Sequence, residues 1–290
     1  MTEILAARNP DAELVEEWTR GRLPRTTHAY LSDLRLIAVS HECGSVAEFL
    51  RMFLGGTAAQ ANRLVINYRN SELARGLKPA SVNRRLATLR SLVKFAQVTG
   101  RCEWSIAVQG VKREPSKPKA VPWSVFLALI EKAPDARLRA ALGLMGYAGL
   151  RISEAVGLRL EDFDAAAGTV SVLGKGRRVR EPVTLAPVVV GYLVSWVAER
   201  GSEPGPLFGW TEPTQLRRAV KALGEAMGVA GLRPHSFRRC AVTRALDVTN
   251  GDIRSVMKFS RHSSPELVAL YDDQRADVAG EIAKRVAESS

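Results

Sequence analysis

Apolar residues recur at helical spacing through most of the chain. Leu14, Val15 and Trp18 give residues 11–19 one apolar side, and Tyr30, Leu34, Ile37 and Ala38 do the same for residues 24–41. Thr26 or Thr27 is the expected cap of that second helix. Ser45 precedes a shorter helix, VAEFLRMF, that stops at Gly55-Gly56. Thr57 opens another that reaches Arg75-Gly76. A fifth helix begins at Pro79-Ala80-Ser81 and is followed by Gly100, with Val82, Leu86, Leu89, Val93 and Ala96 as its core stripe. Asn83, Arg90, Lys94 and Gln97 fall on a neighbouring face, which suits contact with a nucleic-acid groove or backbone. In residues 109–120, QGVKREPSKPKA, the period disappears, and Pro, Lys and Ser predict a linker.

Beyond the linker, residues 123–132 and 135–147 return to helical spacing. The pattern alternates over 169–173 and 179–185, predicting two strands around a tight Gly174-Lys175-Gly176 turn. Residues 187–199 and 214–227 are again helical, the second exposing Arg217, Arg218 and Lys221. After Pro234, HSFRRCAVTRAL predicts a short helix and Asn250-Gly251 interrupts it. IRSVMKFS forms another helix, and Ser263-Ser264-Pro265-Glu266 starts a third that ends near Tyr271. Val278, Ile282 and Val286 put an apolar stripe in the tail, able to pack on its own domain or on a neighbouring protomer. The expected fold is therefore mainly α with a small β-hairpin. It comprises a helical domain (1–108), a basic linker (109–120) and an α+β domain with a C-terminal tail (121–290).

Charge adds a partner to this picture. The 290 residues hold 42 Lys+Arg against 30 Asp+Glu, a net charge of +12. Eleven basic and two acidic residues lie within 75–119 alone, so much of the excess belongs to the fifth helix and the linker. Such an imbalance points to a polyanion, double-stranded DNA first, because each phosphate contact releases counterions. Arg84, Lys112 and Arg113 join Asn83, Arg90 and Lys94 as candidate contacts. No apolar run is long enough to span a bilayer, and the acidic start MTEILAARNPDAELVEEW is unlike a signal peptide. An intracellular protein without a membrane partner is expected. Cys43, Cys102 and Cys240 are widely spaced and odd in number, which predicts reduced thiols.

The candidate chemistry is that of a phosphate. His235 and Arg238 lie at i and i+3 on one helix face, where a guanidinium beside an imidazole repels a metal cation but suits an anion. Arg239 and Arg261 add charge nearby and are further candidate DNA contacts. Within AGLRISEAVGL, Gly149 ends one helix and Ser153 or Ile152 begins the next. This puts Arg151 at a helix start, with Glu154 three residues on to hold it. No His/Cys/carboxylate cluster suggests a metal site, so no metal or other cofactor is expected.

These motifs resemble those of the tyrosine recombinases: AGLRISEAVGL, then H-x-x-R at His235–Arg238, then a His box around His262 and a Tyr nine residues later at Tyr271. The box of that family carries Gly before its His; here Arg261 stands there. The resemblance implies a fold and a reaction. Residues 1–110 resemble the family's helical core-binding domain, with no room upstream for an arm-binding domain. Arg151, Arg238 and His262 would hold the non-bridging oxygens of the scissile phosphate, with His235 assisting. Tyr271 would attack to give a 3′-phosphotyrosine. Lys175, on the hairpin tip, would protonate the departing 5′-oxygen, and Arg177 and Arg178 would touch the DNA backbone. An isolated phenol titrates near pH ~10, so neighbouring cations or His235 must help ionise it. The implied protein is a site-specific recombinase of the bacterial cytoplasm. It would assemble on DNA as a dimer or tetramer, with any accessory factor unspecified, and integrate or excise a phage or mobile element. A Xer-type dimer resolvase is the near alternative. A type IB topoisomerase and a non-catalytic DNA-binding protein are more distant ones.

Overall fold

The computed structural model describes residues 9–112, 120–174, 179–272 and 278–288. The chain divides into two compact units, Met1–Pro115 and Ser116–Ser290.

The first unit is helical: α1 (Pro10–Thr19), α2 (Pro24–Ser40), α3 (Val46–Gly55), α4 (Ala58–Ala74) and α5 (Pro79–Val98). Ser45 caps α3 through the Glu48 amide at 3.1 Å, and Thr57 and Gln60 form a reciprocal capping box at the start of α4. Helix α2 departs from expectation. It starts at Pro24 with Leu23 in the cap position, not at Thr26 or Thr27. Proline fixes φ and has no N–H to satisfy, so the first turn needs no side-chain acceptor. All five expected stripe residues of α5 are buried, and α5 packs against α1, α2 and α4.

Two buried carboxylates explain where Arg84 and Arg85 of α5 point. Asp33 on α2 is fully buried and takes Arg84 Nη1 at 2.5 Å and Thr88 Oγ1 at 3.0 Å. Glu72 on α4 takes Arg85 Nη1 at 2.5 Å, and Tyr68 Oη lies 2.7 Å from the same nitrogen. A carboxylate out of water requires such partners. The chain after α5 is held to the helices by side chains. Asn83 brackets Val111, accepting from its N–H at 2.7 Å and donating to its carbonyl at 2.9 Å. Arg69 reaches the Gln109 carbonyl at 3.1 Å, and Arg90 donates to the Val108 carbonyl. Residues 109–111 of the expected linker are therefore fastened to α4 and α5.

The second unit contains α6 (Trp123–Glu131), α7 (Ala136–Gly146), α8 (Ile152–Val156), β1 (Phe163–Asp164), β2 (Thr169–Leu173) and β3 (Arg180–Thr184). These are followed by α9 (Pro187–Arg200), α10 (Pro213–Ala226), α11 (Pro234–Val248), α12 (Ile253–Ser260), α13 (Pro265–Asp272) and α14 (Val278–Glu288). The strands form one antiparallel sheet in the order β1-β2-β3, with Val170 opposite Val183 and Leu173 opposite Arg180. Strand β1, only two residues long, was not expected. Helix α7 is buried on nearly every side, as its run of Ala, Leu and Gly allows, and lies against α9 and α11. Gly146 at its end is required by contact, since an added Cβ would fall 2.3 Å from the Phe126 ring. Helix α11 is longer than the short helix expected there. A satellite core of Val242, Leu246, Val256, Val268 and Tyr271 ties α11, α12 and α13 together. Among the described residues no helix is long and apolar enough to cross a membrane.

Candidate active site

The site is built where the α7–α8 connection meets α11, the end of α12 and α13. Gly149, at φ +62, turns the chain after α7 in a conformation that L side chains rarely adopt, and Arg151 takes the N-cap of α8. Its partner Glu154 is buried. Glu154 Oε2 accepts from the Arg151 backbone N–H at 2.8 Å, and Oε1 accepts from Arg151 Nη1 at 2.6 Å. The Arg151 amide at the start of α8 is thus taken by Glu154. The other terminal nitrogen of Arg151, Nη2, donates to the Arg261 carbonyl at 3.0 Å. Burial pushes the Glu154 carboxyl upward. The Arg151 amide, the Arg261 charge and the Arg151 guanidinium outweigh it and hold its pKa below the usual value.

Arg238, on α11, is 1% exposed, an extreme burial for a cation. It donates to the carbonyls of Gly149 and Ser260, which fixes the guanidinium between two connections. Burial and then Arg151 depress its pKa to about 10, so it stays charged at neutral pH. The Tyr271 phenol lies close enough to act on Arg238 in the opposite sense.

His262 follows α12. Its Nε2 is 3.3 Å from Arg238 Nη2, and its Nδ1 is 2.7 Å from Ser260 Oγ. The Ser260 hydroxyl gives its single proton to the Val256 carbonyl at 2.6 Å and so accepts from His262 Nδ1–H. The neutral ring then turns the Nε2 lone pair toward Arg238. Burial first, then the charges of Arg238, Arg151, His235 and Arg261, depress the His262 pKa to about 4. His235, one turn before Arg238, keeps an exposed edge. Its pKa is lowered by the protein packed around it and then by Arg239, Arg238 and Arg151. Tyr271 is 6% exposed, and its ring centroid is 6.0 Å from that of His262.

The structure thus gathers Arg151, Glu154, Arg238, His262 and Tyr271, with His235 and Arg239 at the edge. Side chains of Arg238, Arg239 and Arg261 each keep a buried Nε–H with no hydrogen-bond partner among the described residues. A cleft of about 830 Å³ opens beside His235, lined also by Arg217, Lys221 and Arg233. Lys175, Arg177, Arg178 and Arg113 lie outside the described residues. Lys94 and Lys112 are exposed. Four other expected DNA contacts bond within the protein, Arg84 with a side chain still 52% exposed. Asn83 spends its amide on Val111, Arg84 bonds to Asp33, Arg90 to the Val108 carbonyl, and Arg261 to Glu154 at 3.0 Å. In each case a buried carboxylate or an unpaired backbone group requires the partner. Sequence reasoning passed over Ser260, whose only signal is a hydroxyl two residues before the His. It read Gly149 only as a helix end, without the carbonyl that receives Arg238.

The sequence profile of the Phage integrase family matches residues 124–277, which span the whole site. A tyrosine recombinase of Synechococcus elongatus is 35% identical over 92% of this chain and 90% of its own length. The chain belongs to the phage integrase family of tyrosine recombinases. Its members are enzymes that cleave and rejoin DNA, and site-specific recombination is the activity of this one. Another similar recombinase is the XerC of Xanthomonas campestris strain B100, 29% identical over 87% of this chain and 88% of its own. Among solved structures, a lambda integrase dimer bound to a COC′ core site aligns over 93% of this chain and 95% of its own. That alignment has a TM-score of 0.70 at 15% identity, a likeness of fold. A XerH recombinase on its palindromic difH substrate aligns over 82% of this chain and 76% of its own, with TM-score 0.63 at 19% identity.

Proposed function

We propose that this tyrosine recombinase cuts each DNA strand with Tyr271, forming a 3′-phosphotyrosine, and serves the integration or excision of a phage or mobile element. Arg151 and Arg238 grip the non-bridging oxygens of the scissile phosphate, His262 gives a third bond, and His235 assists. Lys175 protonates the departing 5′-oxygen. The phosphodiester energy stays in the Tyr271 bond, so a 5′-hydroxyl from another duplex reverses the step without an external energy source. Residues 1–108 hold the core site, residues 109–120 pass beside the duplex, and two to four copies assemble on DNA in the bacterial cytoplasm. One observation carries the reading: two arginines, an imidazole and a phenol from four separate segments cluster together, and among the described residues of that cluster the cations outnumber the one carboxylate, Glu154. A surplus of guanidinium donors there suits a phosphodiester.

The XerC likeness favours a second reading, resolution of chromosome or plasmid dimers. Incubating the protein with DNA flanking its own gene and with host chromosomal DNA, then sequencing the junctions, separates the two. Junctions between an element's ends and the chromosome support integration. Junctions only between two copies of one chromosomal site support dimer resolution. Absence of any junction, with the DNA bound, counts against both.

A further inference from the structure

Arg261 is held in a conformation and an environment that each disfavour it. Its backbone lies at φ 56 and ψ 41, the left-handed region that a side chain with a Cβ seldom enters. The side chain is 12% exposed, and its guanidinium is turned into the protein. Nη2 donates to Glu154 Oε2 at 3.0 Å and to the Gly149 carbonyl at 3.3 Å, while Nη1 donates to the Phe259 carbonyl at 3.2 Å. Its own carbonyl accepts from Arg151 Nη2. One residue therefore touches both members of the Arg151–Glu154 pair, one with its backbone and the other with its side chain. Backbone strain of this kind collects where function fixes it.

We propose that Arg261 is a positioning residue for strand cleavage, acting through Glu154 on Arg151. A carboxylate beside a single guanidinium forms a two-pronged pair with it and takes up two of its donors. Here Arg261 engages Oε2, and Glu154 keeps only one side-chain bond to Arg151. The remaining Arg151 N–H groups stay available to a phosphate. This inference rests on the reading that Arg151 grips the scissile phosphate, and Arg261 itself makes no phosphate contact.

The test measures single-turnover formation of the covalent protein–DNA adduct and equilibrium DNA binding. The substrate is a duplex carrying the junction sequence recovered from DNA flanking the gene. Proteins compared are the unchanged chain, Arg261→Gly, Arg261→Lys, Glu154→Gln and the Glu154→Gln/Arg261→Gly double variant. Arg261→Gly keeps the backbone carbonyl and relieves the left-handed backbone. That relief offsets part of the loss of its bond to buried Glu154, and well below its melting temperature the variant is expected to bind DNA as tightly, yet to form adduct about tenfold more slowly, the scale of one charge-assisted hydrogen bond. Arg261→Lys should recover part of the rate. In the Glu154→Gln background, Arg261→Gly should add little, because its route is already broken. Adduct formation at the unchanged rate in Arg261→Gly overturns the proposal. So does a rate that falls only in step with binding or melting temperature, or a full independent loss in the double variant. If the unchanged chain forms no adduct on a duplex it binds, the reaction assigned to Tyr271 fails, and this inference falls with it. If it does and the variants do not behave as stated, only the role of Arg261 fails.

Discussion

Ser260 and His262 set the protonation of the site. With Nδ1–H bonded to Ser260 Oγ, a neutral His262 offers no proton at Nε2, whereas a third bond to a phosphate requires one. Binding an anion must therefore raise the His262 pKa, and the cations that depress it in the free protein become its neighbours around a shared charge. Titration followed by NMR should place His262 near 4 in the free protein, with an upward shift of its Cε1–H midpoint when DNA is added. The sign for stability follows. The unfolded ring binds its proton near pH ~6.5, before the folded one does. The His262 contribution is thus present above that pH and is lost as pH falls toward 4. Chemical denaturation across this window should show weaker acid sensitivity in His262→Gln, and an unchanged slope would contradict the assignment. Glu154 is the counterpart, buried between two arginines. Replacing it with Ala leaves both guanidinium groups short of their carboxylate and should cost about 3 kcal/mol in urea unfolding, the scale of breaking a buried pair.

Connections rather than helices aim the reactive groups. The α7–α8 turn exposes the Gly149 carbonyl to Arg238, and its positive φ admits only glycine without strain. Gly149→Ala should lower stability by about 1 kcal/mol from that φ alone. It should slow adduct formation further, since the new Cβ meets the Phe259 ring at 3.3 Å. A thermal melt together with the adduct rate checks both parts. This is also where the limit of the sequence is plainest. The stripe of α5, the caps Ser45 and Thr57 and the Asp135 start of α7 are local signals, each read within one or two turns. Arg151, His235, Arg238, His262 and Tyr271 were singled out through the family resemblance that their motifs carry, and the structure brings them near one another. What joins them was not legible. The Arg151 bond to the Arg261 carbonyl spans 110 residues, and that of Arg238 to Gly149 spans 89. The internal bonds of Asn83, Arg84, Arg90 and Arg261 were hidden for the same reason, because spacing gives a face but not the buried carboxylate or backbone group beside it. Two-residue β1 is too short to carry an alternation.

At the scale of the whole molecule, the charge of +12 and the basic stretch 75–119 predict how DNA is held. Affinity should fall linearly in log–log form with salt, by a factor on the order of 10³ or more between about 50 and about 200 mM if six or more phosphates are contacted. A flat salt profile in an anisotropy titration would contradict a phosphate-led interface. Strand cleavage should persist in excess EDTA, since the proposed transition state is neutralised by arginines and an imidazole. Loss of activity restored by Mg²⁺ would mean that the charge is met otherwise. The central claim is that the Tyr271 phenol is the group that takes the DNA phosphorus. The most direct measurement is a denaturing-gel assay of covalent adduct, with mass spectrometry of the linked peptide, on the unchanged chain and Tyr271→Phe under conditions where both bind DNA. The account predicts a nucleotide on the Tyr271 peptide of the unchanged chain and no adduct in the variant. An adduct that survives Tyr271→Phe, or one mapped to any other side chain, would contradict it.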